Sequence, residues 1–590
     1  MPTSAPIEEC EPRTAQPLEA AATAAEARRR RACALWLAAL ALVLGLLAYE
    51  VPLDTGGDPA EYWMLAQSLH SGQGYRVISE PGAPVETKRP PGYPAFLGAW
   101  MGLFGNKLWV LKLSSLLCFA VAAALTYAWV TRQPAATALL ALAAALLFLC
   151  NVQSLERATR LASEMLFTVL GLAVVLLADS MARRDRARLW AVAGLGALIV
   201  GSIYVRPNGV ALVPAIALFL LTRRRWQAAG LVVAIVLVGV APWAWLERQA
   251  IAQGESTYFE TALPVATGQG PHSPPPAIAY ADRALHNIPI RALSAGQLVL
   301  ARPLTLSLRA PKPGHGAQGA AEESVESLHG STTLEGVSPP KLTRRSSRYA
   351  LALLILAGCV LTWRGAGSAA HWYTLFTALM LLAVTYGTGR YWFPLLPFFG
   401  WFVLAAVYRI GCRLGEVIWA GKGARLGMAG VWATCVLSSV LALIGVAQSV
   451  DAKLQTRGLP WWAPERYEFV GTDVANYVRA SLWIRDHTPP NAVVVCRKPF
   501  NVYETSGRKA KCLLWTRKSE ALWQQTTALE QYGPVYIIQD AFGTRYADED
   551  LSQKNLVPAI ARHTSEVIKV CEFGSPTTIV WQLRQLGSDE

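Results

Sequence analysis

The sequence predicts a polytopic α-helical membrane protein of about eleven spans with a small C-terminal α/β domain outside the membrane. Three observations predict it. Of 590 residues, 53% are hydrophobic and only 16% charged, and the mean hydropathy of +0.30 is too apolar for a soluble chain of this length. Apolar runs near span length recur through the first 450 residues. Beyond them the chain turns polar, and β-rich runs alternate with helical periodicity.

Residues 1–27 are rich in Ala, Glu and Pro and are expected to be disordered. Arg28-Arg29-Arg30-Arg31 then precedes an apolar run to about Tyr49. That run is long and lacks a small-x-small cleavage site, so a retained signal-anchor helix is expected. Ten further runs centre on 107–131, 134–150, 161–181, 189–205, 208–222, 226–247, 349–364, 371–388, 391–409 and 427–449. The pair flanking Arg206-Pro207-Asn208 reads as broken or re-entrant.

Short-loop basic residues set the orientation. With the N-terminus inside, the inner loops hold Arg132, then Arg183, Arg184, Arg186 and Arg188, then Arg223-Arg224-Arg225, then Arg409, Arg413, Lys422 and Arg425. Arg344, Arg345 and Arg348 fall outside, in a long loop of the kind that translocates regardless of charge. An added span near 285–308 would also explain them, but Arg291, Arg302 and Arg309 argue against it. The expected organisation is a basic cytoplasmic N-terminus (1–31), a transmembrane domain (32–450) with external loops 51–106 and 248–348, and an extracytoplasmic α/β domain (451–590). The location is the plasma (inner) membrane.

The net charge of +14 fits loops that meet anionic lipid. A nucleic-acid partner is excluded in this reading, since the chain has neither a basic recognition helix nor a zinc motif. The loop 248–348 is rich in Pro, Gly and Ser around 264–276 and 311–340 and reads as partly flexible. In the last region, strands are expected at 492–496, 535–539, 567–572 and 577–583, and helices at 473–487, 519–532 and 550–563. The ten cysteines form no C-x-x-C pair. Cys496, Cys512 and Cys571 share the external domain, where one pair has the setting for a disulfide.

The first external loop concentrates the chemistry. Asp58, Pro59 and Glu61 form a helix start: cap, Pro at the first position, acid at the third. Tyr62, Leu65, Ala66 and Leu69 fall on one face and Gly72 ends the run, so a short amphipathic helix at the membrane surface is expected over 58–71. Asp58 is either a cap alone or also a carboxylate mounted to take a proton from a hydroxyl. Asp54 and Glu61 are alternative acids in the same turn. Downstream, Lys88-Arg89-Pro90-Pro91-Gly92-Tyr93-Pro94 is a stiff turn that fixes where its basic pair points. That pair suits phosphate oxygens, or else rests on lipid headgroups.

These motifs carry a resemblance. The loop-one Asp, Gly72-Gln73-Gly74 and Arg89-Pro90-Pro91-Gly92-Tyr93-Pro94 resemble those of the GT-C glycosyltransferases, most nearly the bacterial protein-mannosyltransferase-like and aminoarabinose-transferase-like branch. Leu161-Ala162-Ser163-Glu164, Arg206-Pro207-Asn208-Gly209 and Gly389-Arg390-Tyr391-Trp392-Phe393-Pro394 continue it, over roughly the first 410 residues. The resemblance implies a sugar passed with inversion from a polyprenyl-phosphate carrier to an external glycan, lipid or protein acceptor. It implies Asp58 as general base and Glu164 as the second acid. The branch often has a second acid immediately beside the first; here that neighbour is Pro59.

Glu164 is an acid near the start of an apolar helix, where such charges are costly and often functional; the plain alternative is an ion pair with Arg160. Arg206 and Arg390 lie at outer span ends and, with Lys88 and Arg89, are candidate ligands of the donor phosphate; snorkelling to the interface is the alternative. Tyr93 and Tyr391 are candidate substrate-positioning residues. No cofactor is required by this reading, and a divalent metal remains open: His70, His272, His286 and His315 have no ligand spacing, and GT-C relatives differ on this point. The rival function is a transporter or flippase of lipid-linked or anionic substrates. It predicts internal repeats and polar residues at the bilayer midplane, whereas the charges here cluster at span ends.

Overall fold

The computed structural model describes residues 15–49, 58–134, 136–184, 188–252, 276–299, 341–363, 365, 367–383, 389–419, 421–468, 471–514, 516, 518–541, 552–575 and 577–584. Each of the eleven apolar runs forms a helix. These are α1 (Ala15–Leu47), α4 (Leu108–Val130), α5 (Ala138–Leu149), α7 (Ser163–Ala182), α8 (Leu189–Val205), α9 (Leu212–Thr222) and α10 (Trp226–Ala252), then α12 (Lys341–Thr362), α13 (Ala369–Ala383), α14 (Leu396–Ile418) and α15 (Gly423–Gln455). Among the described residues, six helices are long and apolar enough to cross a membrane, or seven if α5 and α6 (Val152–Ala158), bent by 59°, count as one span. α8, α9, α12 and α13 are shorter apolar helices. Their common core is built of large side chains such as Phe119, Phe148, Phe398 and Phe402, with Trp129 edge-on to Phe398 at 4.8 Å.

Several expectations are corrected. The Ala/Glu-rich segment expected to be disordered is helical from Ala15 onward, because those residues are strong helix formers and the helix continues through the four arginines into α1. In the 248–348 loop the structure describes a helix, α11 (Pro276–Val299), while the stretches expected to be flexible, around 264–276 and 311–340, lie outside the described residues but for Pro276. α11 packs on α12 and α13, and Arg291, one of the arginines that spoke against an added span, is buried with its Nε donating to the Leu381 carbonyl at 2.9 Å. At Arg206 the chain does break as expected. α8 stops, a 3₁₀ turn (Pro207–Ala211) follows, and α9 begins directly after it.

The first loop forms α2 (Asp58–His70) and α3 (Gly92–Phe104). α2 is not a surface helix. Pro59 to Ala66 and Ser68 are all buried, because α3 covers one side and the C-terminal domain another. Gly92 explains itself here: a Cβ would lie 2.5 Å from the Tyr204 carbonyl carbon and 2.8 Å from the Val205 nitrogen. The stiff turn thus rests directly on the end of α8, just before Arg206.

The C-terminal region is an α/β sandwich. Its sheet has the order β2-β1-β3-β5-β4, formed by β1 (Val493–Val495), β2 (Lys509–Lys511), β3 (Val535–Gln539), β4 (Val567–Phe573) and β5 (Thr578–Leu583). β1 runs parallel to β2 and β3, and β5 runs antiparallel to β3 and β4. After the short α16 (Pro464–Glu468), Val494 faces Tyr477 and Ile484 of α17 (Thr472–His487), while Val493 and Val495 face Leu522 and Trp523 of α19 (Ser519–Thr527). A strand covered on both faces needs an unbroken apolar run, which Val493-Val494-Val495 supplies. The short β2 and α18 (Pro499–Ser506) were not foreseen. Cys496, Cys512 and Cys571 are free thiols.

α18 docks this domain on the first loop. Phe500 packs between the two apolar clusters around α2, and Gln67 donates to Glu504 Oε2 at 3.3 Å. The Ala510 N–H donates to the Ser79 carbonyl at 2.8 Å, so the loop continues the edge of the sheet. Burial pushes the Glu504 carboxyl up to about 8, with the Gln67 hydrogen bond opposing.

Two outcomes follow. Gly92→Ala should lower stability by about 1–3 kcal/mol, because its close contacts are backbone atoms that cannot step aside; thermal unfolding of the purified protein measures it. Folded Glu504 keeps its proton above the pH at which an unfolded glutamate loses it, so its contribution to stability falls as pH rises from about 4.5 to about 8. Glu504→Gln should remove that slope from the pH dependence of the melting temperature.

Candidate functional site

The site is assembled at one end of the helical bundle from four separate parts of the chain. Asp58 opens α2, Arg89 sits in the Pro-Pro turn, Glu164 opens α7, and Arg206 and Arg390 lie at backbone breaks before α9 and α14. These helix boundaries bring the five side chains together through ion pairs and the ring of Tyr391.

Asp58 is held by two arginines. Arg89 Nη2 donates to its Oδ1 at 2.7 Å and Arg390 Nη1 to its Oδ2 at 2.6 Å. Burial works against the charged form, but Arg89 and Arg390 outweigh it and hold the carboxyl well below the usual carboxylate range. The Asp58 side chain is still 23% exposed, so one flank faces open space. Arg89 also donates through Nε to Glu61 Oε2 at 3.1 Å. Burial raises the Glu61 carboxyl; Arg89 opposes this, and Glu86 and Asp58 add to it.

A second, more enclosed layer lies beneath. Glu164 is 4% exposed at its side chain and meets Arg206 at 2.9 Å and Arg157 at 3.5 Å, while Arg160 pairs with Glu156 at 2.6 Å. The ion pair expected at Arg160 is therefore taken over by Arg206 and Arg157, because the break between α6 and α7 turns Arg157 toward Glu164. Arg206 also donates to Ser163 Oγ at 2.9 Å. Tyr391 joins the layers: the Arg206 and Arg390 guanidinium carbons lie 5.8 and 5.7 Å from its ring centre.

Not every expected residue arrives. Lys88 is exposed; its own N–H donates to Glu86 Oε1 at 2.5 Å, as does that of Arg89 at 2.9 Å. Tyr93 is buried with its ring edge-on to Tyr62 at 4.8 Å, and so supports α2 rather than facing the open flank. Asp54 lies outside the described residues. Glu86 and Arg157 are the residues that reading the sequence missed. Glu86 caps the turn that aims Arg89, and its signal was an acid two residues before a basic pair. Arg157 lies seven residues before Glu164, beyond the one-turn spacing that singles out Arg160.

The arrangement is rich in unused donors. Arg390 Nε, Arg157 Nε, Asn208 Nδ2 and Trp392 Nε1 are buried without a hydrogen-bond partner. Buried donors of this kind are costly when left unmet and suit an anion with several oxygens. Among the described residues, no three His, Cys, Asp or Glu side chains gather as metal ligands.

Residues 88–245 match the family described as dolichyl-phosphate-mannose-protein mannosyltransferase. The match covers the Arg89–Pro94, Leu161–Glu164 and Arg206–Gly209 motifs and bears out the resemblance to membrane glycosyltransferases drawn from them. No curated protein matches the chain. Among solved structures, ArnT from Cupriavidus metallidurans bound to undecaprenyl phosphate aligns with a TM-score of 0.48 and 13% identity over 93% of this chain and 97% of that one. The oligosaccharyltransferase AglB from Archaeoglobus fulgidus, in complex with an inhibitory peptide and a dolichol-phosphate, aligns with a TM-score of 0.48 and 12% identity over 94% of this chain and 74% of that one.

Arg206→Gln should take from the buried Glu164 its nearer counter-charge, leave it only Arg157 at 3.5 Å, and cost up to about 3–5 kcal/mol. Adding Glu164→Gln should restore much of the loss. A double-mutant cycle on thermal stability measures the coupling.

Proposed function

We propose that this chain is a polytopic glycosyltransferase that moves a sugar, with inversion, from a polyprenyl-phosphate carrier to an acceptor hydroxyl on an envelope glycan, lipid or protein. The observation that carries the reading is the convergence of Asp58 with Arg89 and Arg390 on one partly open flank, above the enclosed Arg206 and beside buried donors with no partner. The family match over 88–245 supports it from the sequence side.

In this mechanism the acceptor oxygen attacks the anomeric carbon, and the bond from that carbon to the phosphate oxygen breaks. The bonding electrons leave with the polyprenyl phosphate, and the acceptor proton passes to Asp58. Arg390 and Arg89, on the open flank, stabilise the charge that builds on the leaving phosphate, and Arg206 adds its charge from the layer beneath. Two arginines make Asp58 a weak base as it stands. A donor phosphate competes for Arg390 and Arg89, loosens both ion pairs, and so raises the basicity of Asp58 when the sugar is in place. Glu164 acts as a positioning residue through Arg206 and Arg157, and Tyr391 orients the two guanidinium groups above it. Lys88, exposed at the rim, meets the donor or the lipid headgroups only at the periphery. The site faces the extracytoplasmic side, in keeping with the basic residues of the opposite loops.

The test is release of polyprenyl phosphate from a radiolabelled lipid-linked sugar by the purified full chain. Asp58→Asn should lower kcat by about 10²–10⁴-fold and Arg390→Gln by about 10²–10³-fold, while Lys88→Gln should change it less than about threefold. Movement of intact lipid-linked sugar across vesicles without release of polyprenyl phosphate would overturn the proposal in favour of a transporter.

A further inference from the structure

A second polar cavity lies at the other end of the bundle. Glu164 opens α7 at the candidate site, and Asp179 stands fifteen residues later near its end, about 22 Å away along the axis. There the loops after α4, α7 and α9 and the turn between α12 and α13 enclose about 240 Å³. A single water needs only about 10–15 Å³.

The floor of this cavity is already satisfied. Asp179 Oδ1 accepts from the Ala369 N–H at 2.9 Å and its Oδ2 from Trp129 Nε1 at 3.2 Å. His371 is engaged on both ring nitrogens, by Thr362 Oγ1 at 3.0 Å and Ser368 Oγ at 2.9 Å. The rim is different. Arg132, Arg183 and Arg223 line it from three separate loops. Arg183 donates one N–H to the Arg132 carbonyl at 2.9 Å, and Arg223 donates one to the Gly367 carbonyl at 2.6 Å. Among the described residues, no carboxylate lies within ion-pair distance of any of the three. Burial, then repulsion from Arg183, draws the Arg132 guanidinium below its ordinary value, with Asp179 opposing. An anion would relieve that crowding.

We propose that this cavity binds the phosphate of an anionic phospholipid headgroup, drawn from the leaflet opposite the Asp58 site. Guanidinium groups on three loops can grip phosphate oxygens in pairs. The lipid is favoured over a soluble anion by depth. Leu189, Trp190 and Trp226 begin α8 and α10 at this same end and are exposed by 71%, 62% and 67%. Exposed tryptophans at span ends mark the headgroup level, and basic pockets between spans at that level take lipid phosphates.

The test is native mass spectrometry of the full chain in micelles doped with phosphatidylglycerol, phosphatidylcholine or inorganic phosphate. One phosphatidylglycerol should be retained, with affinity about fivefold lower in Arg132→Gln and about a hundredfold lower in R132Q/R183Q/R223Q. The control R413Q/K422Q/R425Q removes the same charge at the same end, outside the cavity, and should stay within about twofold of the parent. If the glutamine triple variant does not fold, R132K/R183K/R223K keeps the charge but not the forked geometry and should bind at least about tenfold more weakly than the parent. Equal loss in the control, equal retention of phosphatidylcholine, displacement by inorganic phosphate at matched concentration, or parental binding by whichever cavity variant folds would each overturn the proposal.

Discussion

The constraint on which the structure turns is the burial of alternating charges at one end of the bundle. Asp58 and Glu61 flank Arg89, Arg390 bridges from Asp58 toward Tyr391, and Arg206 passes from Tyr391 to Glu164. Each charge in this row has an opposite charge beside it, so removing one weakens the compensation of its neighbours in a setting where an unpaired charge is expensive. Members of the row sit at helix boundaries: Asp58 and Glu164 in the first turns of α2 and α7, Arg206 just past the end of α8, and Arg390 in the turn before α14.

Enclosure divides the row into two functions. The Glu164–Arg206 pair is shut away and acts as a fixed electrostatic footing. The Asp58–Arg390 pair is about a quarter exposed and can exchange partners with an incoming anion. Preorganised charge in a partly closed space is worth more to a developing oxyanion than the same charge in water. The aromatic ring of Tyr391 couples the two halves without contributing a charge of its own.

Much of this was legible in the sequence. Each apolar run marks a helix, although α12 begins at Lys341 and α14 ends at Ile418, both well outside their runs, and the β-rich runs around Val493–Val495 and Val535–Gln539 give the central strands. The acids and arginines at span ends were visible too, because charge beside an apolar run stands out. Convergence was not: Asp58 and Arg390 are 332 residues apart, and no local pattern links them. The surface reading of α2 failed for a related reason. Its periodicity reports one apolar face, but the second face is covered by α18, which is folded from residues some 430 positions away. Lys88 and Arg89 are neighbours in sequence yet diverge in space, because Glu86 caps both backbone N–H groups and turns only the second side chain inward.

That remote cover has a bearing on biosynthesis. Gln67 and its partner Glu504 are separated by 437 residues. At about 5–20 residues per second, the ribosome needs roughly 20–90 s to supply the helix that closes over α2. Throughout that interval Met64, Leu65 and Val77 lack the aromatic side chains of Phe500 and Tyr503 that later cover them. The apolar cover of α2 is thus made long after the charges it shelters, since Asp58 has both of its arginines once residue 390 has been added.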